Sequence, residues 1–231
     1  MRFLQLTFGL AALALAATLP AYAEEPMSGP VYFVTYFEVA PNAAAQASGI
    51  ARQFAEASRK EAGTNEFEIF EEVDRPSRFA ILEAWRDKQA ADAHNSGAAA
   101  TTFRDKVKPL LIGGFGVRPH GELSVAAPAK AQPPRDALYV LTHVDVFPTF
   151  KDQAVELVKV QAASARKDGG NARYDVLQWD GHPNHFTLVE VWHDRKAFDA
   201  SVVTPQNKEF RDKLTPLEGA LYDERLYHAV Q

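Results

Sequence analysis

The sequence predicts an α+β fold made of two tandem β-α-β-β-α-β units, ferredoxin-like in element order, whose sheets face each other within one chain. Three observations carry this. First, "RFAILEAWRDKQAADAH" (Arg78 to His94) and "HFTLVEVWHDRKAFDAS" (His185 to Ser201) share the frame Phe-x-x-x-Glu-x-Trp-x-Asp-x-x-Ala-x-Asp-Ala. Second, the offset of 107 positions that overlays Trp85 on Trp192 also overlays "VYFVTYFEVAP" on "LYVLTHVDVFP", "RKEAG" on "RKDGG" and "FRDKVKPL" on "FRDKLTPL". One register held without a gap across separated motifs marks a tandem duplication. Third, each copy alternates strand and helix periodicities in the same order.

In the first copy, Val31 to Val39 is β-branched and aromatic and predicts a strand. Pro41-Asn42 opens a helix expected to run to about Ala62, with Gly63 as its stop. "FEIFEEV" and "RFAILEAW" read as two strands joined by a turn over Asp74 to Ser77, with Pro76 in it. Asp87 is placed to cap a short helix through "KQAADAHN"; "TTFRDKVKPL" forms a second helical piece, and a last strand is expected near Ile112 to Arg118. The second copy reads alike, with "NHFTLVEVW" and "ALYDERLYHAV" as its third and fourth strands. A four-stranded sheet with helices on one face leaves the other face bare. Two units in one chain supply each other's cover, as an intrachain pseudo-dimer. Whether chains associate further is left open by the sequence.

Four segments follow. Residues 1–23 read as a secretory signal: Arg2, the apolar run "FLQLTFGLAALALAATL", and "AYA" as a cleavage site after Ala23. The expectation is export, to the periplasm or the medium. The units are then set at residues 30–120 and 138–231, with an Ala/Pro-rich linker over 121–137. The chain has no cysteine, so neither disulfides nor an acylated thiol enter the argument. Its net charge is −5, or −6 without the signal, and it has no basic stripe. That argues against nucleic acid as a partner, and against a membrane once the signal is gone.

In "RFAILEAW", Phe79, Ile81, Glu83 and Trp85 share one face of the strand. Glu83 in an apolar row, and Glu190 in the second copy, are either pocket acids or carboxylates paired with Arg104 and Arg211 of the repeated "FRDK". Trp85 and Trp192 are either core plugs or walls of a flat aromatic pocket. His94 ends its helix nine positions past Trp85; it is either a base with an unperturbed pKa near 6.5 or a dipole-stabilising histidine facing solvent. The second copy has Ser201 there, so the first copy is expected to keep the reactive pocket. Tyr36 and its counterpart His143 on the first strands, and Phe103 in "FRDK", complete the candidate binding residues. His182 and His185 flank a turn and give only a weak metal pattern, and "LIGGFG" opens a strand, not the helix a phosphate cradle needs.

Each copy resembles the antibiotic biosynthesis monooxygenase family of the dimeric α+β barrel superfamily, most specifically in Glu-x-Trp-x-Asp-x-x-Ala-x-x-x-His, Glu83 to His94. The resemblance implies a barrel of two ferredoxin-like units. It also implies oxidation of quinols, anthrones or similar small phenolic aromatics by molecular oxygen, with neither metal nor flavin. On that footing His94 would take the phenolic proton, with the ring held by Trp85 and Phe79. The alternative is a non-catalytic barrel that binds an aromatic molecule or haem. The asparagine that haem-degrading relatives carry on the first strand is absent from "VYFVTYFEV" and "LYVLTHVDV".

Overall fold

A computed structural model describes residues 29–127 and 133–230. The signal segment lies outside the described residues. The first unit runs β1 (Val31–Glu38), α1 (Ala44–Ser58), β2 (Thr64–Glu72), β3 (Arg78–Trp85), α2 (Lys88–Ser96), α3 (Ala98–Val107) and β4 (Gly116–Ser124). The second runs β5 (Leu138–Asp145), α4 (Lys151–Ala165), β6 (Asn171–Trp179), β7 (His185–Trp192), α5 (Arg195–Val202), α6 (Pro205–Leu214) and β8 (Asp223–Ala229).

The eight strands close into one antiparallel barrel in the order β1-β3-β2-β8-β5-β7-β6-β4. Each unit's fourth strand does two jobs. β4 pairs with β1 in its own unit (Tyr32 opposite His120) and with β6 of the other (His120 opposite Trp179). β8 does the same between β5 and β2. This bridging explains why β4 starts four residues later than the sequence suggests and runs on to Ser124: its length is set by two partners. Closure gives each strand a neighbour on both sides, although β2 meets β8 only over Phe70–Glu72 and β6 meets β4 only over Val176–Trp179.

The first helix stops at Ser58, short of the Ala62 expected. Thr64 Oγ1 donates to the carbonyls of Ser58 and Glu61, drawing the chain into a turn before the helix period runs out. Gly63 takes φ 88° there, and a Cβ on it would lie 2.6 Å from the Ala90 methyl, so glycine is required twice over.

The strand alternation sorts the apolar residues into layers. Phe79, Ile81 and Trp85 pack outward under α1–α3 with Phe54, Phe67 and Phe103. Ala80, Leu82 and Ala84 point into the barrel, where they meet Tyr32, Phe70, Tyr139 and Tyr227. The pseudo-twofold relating the units brings equivalent positions face to face inside. Tyr36 meets His143 edge-on at 5.2 Å between ring centres, and Glu66 binds the guanidinium of Arg173. A symmetric pair of separate subunits would set each such residue against its own copy. Fusion lets the two sides differ.

Candidate active site

The strand period places Glu83 beside Trp85 on the helix-facing side of β3, and Glu190 beside Trp192 on β7. Each indole Nε1 donates to the carboxylate two residues earlier, at 3.0 Å in the first unit and 2.9 Å in the second. The helix that follows is started by Asp87 or Asp194, whose carboxylate accepts from the backbone N–H three residues on. That start swings position 94, or 201, over the indole. The arginine pairing weighed for the two glutamates is not what forms. Arg104 lies along its helix and donates to the Asn95 carbonyl, and Arg211 pairs with Glu218 at 3.1 Å.

In the first unit the space above the Glu–Trp pair is filled. His94 stacks on Trp85 at 4.5 Å and on Phe54 at 5.5 Å, and Phe54 stacks on Phe103 at 4.2 Å. The imidazole side chain is 2 % exposed, so the solvent-facing alternative does not hold. Its Nδ1 lies 2.8 Å from Glu61 Oε2, and its Nε2 lies 3.8 Å from Glu83 Oε2. Burial raises the Glu83 carboxyl, while the Trp85 N–H and His94 pull it back.

In the second unit the same place is hollow. Gln161 stands where the first unit has Phe54, Ser201 for His94, Asn207 for Ala100, Tyr222 for Phe115 and Glu224 for Val117. These residues and the Glu190–Trp192 pair line a cavity of about 330 Å³ between β7, β8 and α4–α6. Shorter or polar side chains replace an aromatic stack that had closed the gap. Burial pushes the Glu190 carboxyl up to about 8, the Trp192 N–H opposing it. Tyr222 lies under Arg211, whose guanidinium carbon is 3.4 Å from the ring centre.

The candidates read from the sequence therefore do not form one pocket. Glu83, Trp85, His94 and Phe103 converge in the first unit, with Phe79 further along the same face, stacked on Phe37. Trp192 belongs to the second unit's cavity. Tyr36 and His143 are on the other side of the sheet, inside the barrel, and share no pocket with His94 because strand alternation turns them inward. His143 Nδ1 is 3.1 Å from Thr187 Oγ1, which is 2.9 Å from His120 Nε2. Burial holds His143 down to about 3 and His120 to about 4, so both rings are neutral at neutral pH. Glu61, Gln161, Asn207 and Tyr222 were missed. For the last three a signal was available: across the repeat, Gln161, Asn207 and Tyr222 oppose Phe54, Ala100 and Phe115, whereas Glu61 opposes Asp168 and nothing in the sequence marks it.

Among the described residues no group of three His, Cys, Asp or Glu is placed to hold a metal ion. His182 and His185 lie 5.3 Å apart between ring centres and pack on Trp179. No histidine lines the second unit's cavity, and His94 is enclosed between two carboxylates and the rings of Phe54, Phe67 and Trp85. The haem alternative thus finds no available imidazole at either place.

The sequence profile described as antibiotic biosynthesis monooxygenase matches residues 30–106 and again 137–213. "Putative monooxygenase YcnE" of Bacillus subtilis (strain 168) is 33 % identical over 76 residues, 33 % of this chain and 80 % of that protein. Among solved structures, a monooxygenase-named protein of Fusobacterium nucleatum (FN1347) superposes with a TM-score of 0.81 at 16 % identity, over 89 % of this chain and 94 % of the other. One of the same description from Lactobacillus acidophilus NCFM gives 0.74 at 20 %, over 88 % and 95 %. An anthrone oxidase-like protein gives 0.67 at 13 %, over 89 % and 93 %. At those identities the structures speak for the fold alone.

Proposed function

The chain belongs to the antibiotic biosynthesis monooxygenase family, and from that premise we propose that it oxidises a small phenolic aromatic with molecular oxygen in the cavity of its second unit. The observation that carries this reading is the buried Glu190–Trp192 pair at the wall of an open, polar cavity, against the filled counterpart in the first unit. The indole holds Glu190 Oε2, which leaves Oε1 to take or give a proton. A carboxyl raised to about 8 is far better matched to a phenol near 10 than an ordinary carboxylate is. Deprotonation by Glu190 makes the electron-rich phenolate that gives electrons to oxygen. One oxygen atom replaces a ring hydrogen and becomes a carbonyl, and the other leaves as water with the phenolic and ring hydrogens, all four electrons taken up by the oxygen coming from the substrate. Gln161, Asn207 and Tyr222 supply hydrogen-bonding partners for a second ring oxygen.

His94 supports a second reading, because Glu61 holds its Nδ1 and fixes the ring for use at Nε2. That reading needs Phe54 or Trp85 to move before a substrate reaches it. Oxygen uptake on a panel of hydroquinones and anthrone-like phenols, after metal chelation, separates the two. Loss of turnover in Glu190→Gln with His94→Ala active supports the second-unit site; the reverse moves the reaction to His94. If neither variant changes uptake, neither site carries the reaction; if the wild type shows none on any substrate, the enzyme reading yields to a binding barrel. Export of the mature protein from Glu24 is part of the same proposal, and a cell-fractionation blot tests it.

A further inference from the structure

The barrel mouth where β2 and β6 begin opens on a cavity of about 680 Å³ on the opposite side of the sheet from the site above. Tyr32 and Tyr139, equivalent residues of the two units, stand in its walls, with Ala84, Ala172 and Val191 giving it an apolar floor. Four carboxylates gather there: Glu66, Glu68, Glu122 and Asp175. Three of them are engaged. Arg173 donates to Glu66 at 2.8 Å and to Asp175 at 2.5 Å, Arg166 lies 3.6 Å from Asp175, and Tyr32 donates to Glu122 at 2.5 Å.

Two groups are left over. Glu68 has no hydrogen bond or ion pair among the described residues, although Arg173 and Arg59 are near enough to act on it through space. Tyr139 is 7 % exposed, and its hydroxyl has no hydrogen bond among the described residues. The two sense each other: Glu68 follows burial as the cause that raises the Tyr139 phenol. Burial, with Glu66 beside it, pushes the Glu68 carboxyl up to about 7 against the pull of the two arginines. Among the described residues that line the mouth, four carboxylates face the single guanidinium of Arg173. Glu68 is half-buried at the wall of this mouth, and a carboxylate held partly out of water favours a cation that reaches it.

We propose that this mouth binds a small organic monocation, a protonated amine on an apolar or aromatic body, with the ammonium on Glu68 and Tyr139 and the body between Tyr32 and Tyr139. The volume suits a molecule of one or two rings. The tyrosine faces add cation–π attraction to the ion pair. This site is independent of the proposed oxidation and shares no residue with it.

Calorimetric titration of the full chain with tyramine, 4-ethylphenol and 4-hydroxyphenylacetate tests it, since the three share a ring and differ in charge. Tyramine is expected to bind at least tenfold more tightly than either of the others. Near pH 6.5 its binding should release protons as Glu68 is driven to its ionised form, visible as an enthalpy that depends on the buffer. Glu68→Gln should abolish both the preference and the proton release, and Tyr139→Phe should weaken binding several-fold, each with the folded far-ultraviolet spectrum retained. Equal binding of the three compounds, no binding of tyramine at millimolar concentration, or a preference that survives Glu68→Gln but is lost in Glu190→Gln would each overturn the proposal.

Discussion

Arg173→Met removes the guanidinium that ties β6 of the second unit to Glu66 on β2 of the first. The change leaves Glu66 without its partner and Asp175 with only Arg166, 3.6 Å away, the two carboxylate side chains being 20 % and 2 % exposed. Removing one partner of a buried pair costs about 3–5 kcal/mol. Because Arg173 and Glu66 each keep some solvent, the lower end applies, about 3 kcal/mol. For a protein of this size that corresponds to a fall in Tm of roughly 6–12 °C. Positions 66 and 173 are equivalent across the repeat, so exchanging the charges in Glu66→Arg/Arg173→Glu rebuilds the pair in mirror order. Glu68 then stands to the guanidinium introduced on β2 roughly as Asp175 stands to Arg173 in the natural chain. The double exchange should recover all but about 1 kcal/mol, a coupling of the size expected for residues in contact. Urea and thermal unfolding followed by circular dichroism at pH 7 measure both. A single variant within 1 kcal/mol of wild type would refute the energetic argument. An exchange no more stable than the single variant would refute the pseudo-symmetry argument.

Two further outcomes follow from buried polar groups. Glu190 titrates near 8 in the folded protein and near 4.5 when unfolded, so the native state binds the extra proton between those values. Stability should therefore fall as pH rises from about 4.5 to 8, by at most ~1.4 kcal/mol per unit from this group. Glu190→Gln should flatten that slope, and urea midpoints at pH 5 and pH 8 that shift in parallel for both proteins would contradict it. Tyr36 buries its hydroxyl inside the barrel with no hydrogen-bond partner in the described structure. Tyr36→Phe should then stabilise the protein by about 1 kcal/mol, since it removes an unsatisfied group and keeps the edge contact with His143. A lower urea midpoint for the variant would show that the hydroxyl is satisfied in solution.

The duplication, the element order and the shared strand face of each Glu and Trp were legible in the amino-acid sequence, because they rest on local period and on a repeat that a single offset reveals; that the indole and not an arginine binds the carboxylate was not. β3 and the Asp87 and Asp194 helix starts fall where the pattern puts them. Chain closure was not legible at that level: the long β4 is set by a partner strand in the other unit, which no local window contains. The candidate site divides the same way. Alternation put Glu83 and Trp85 on one face, but it could not say that Phe54, an α1 residue, fills the space over them while Gln161 leaves it open. Tyr36 and His143 share a strand face, which marks them as neighbours of a possible pocket, but the closed barrel turns that face away from the indoles. What the sequence determined by itself was which residues share a face and which positions are twins. Which twin is hollow, and which twins meet across the axis, depended on volumes and charges that come together only when both units close into one barrel.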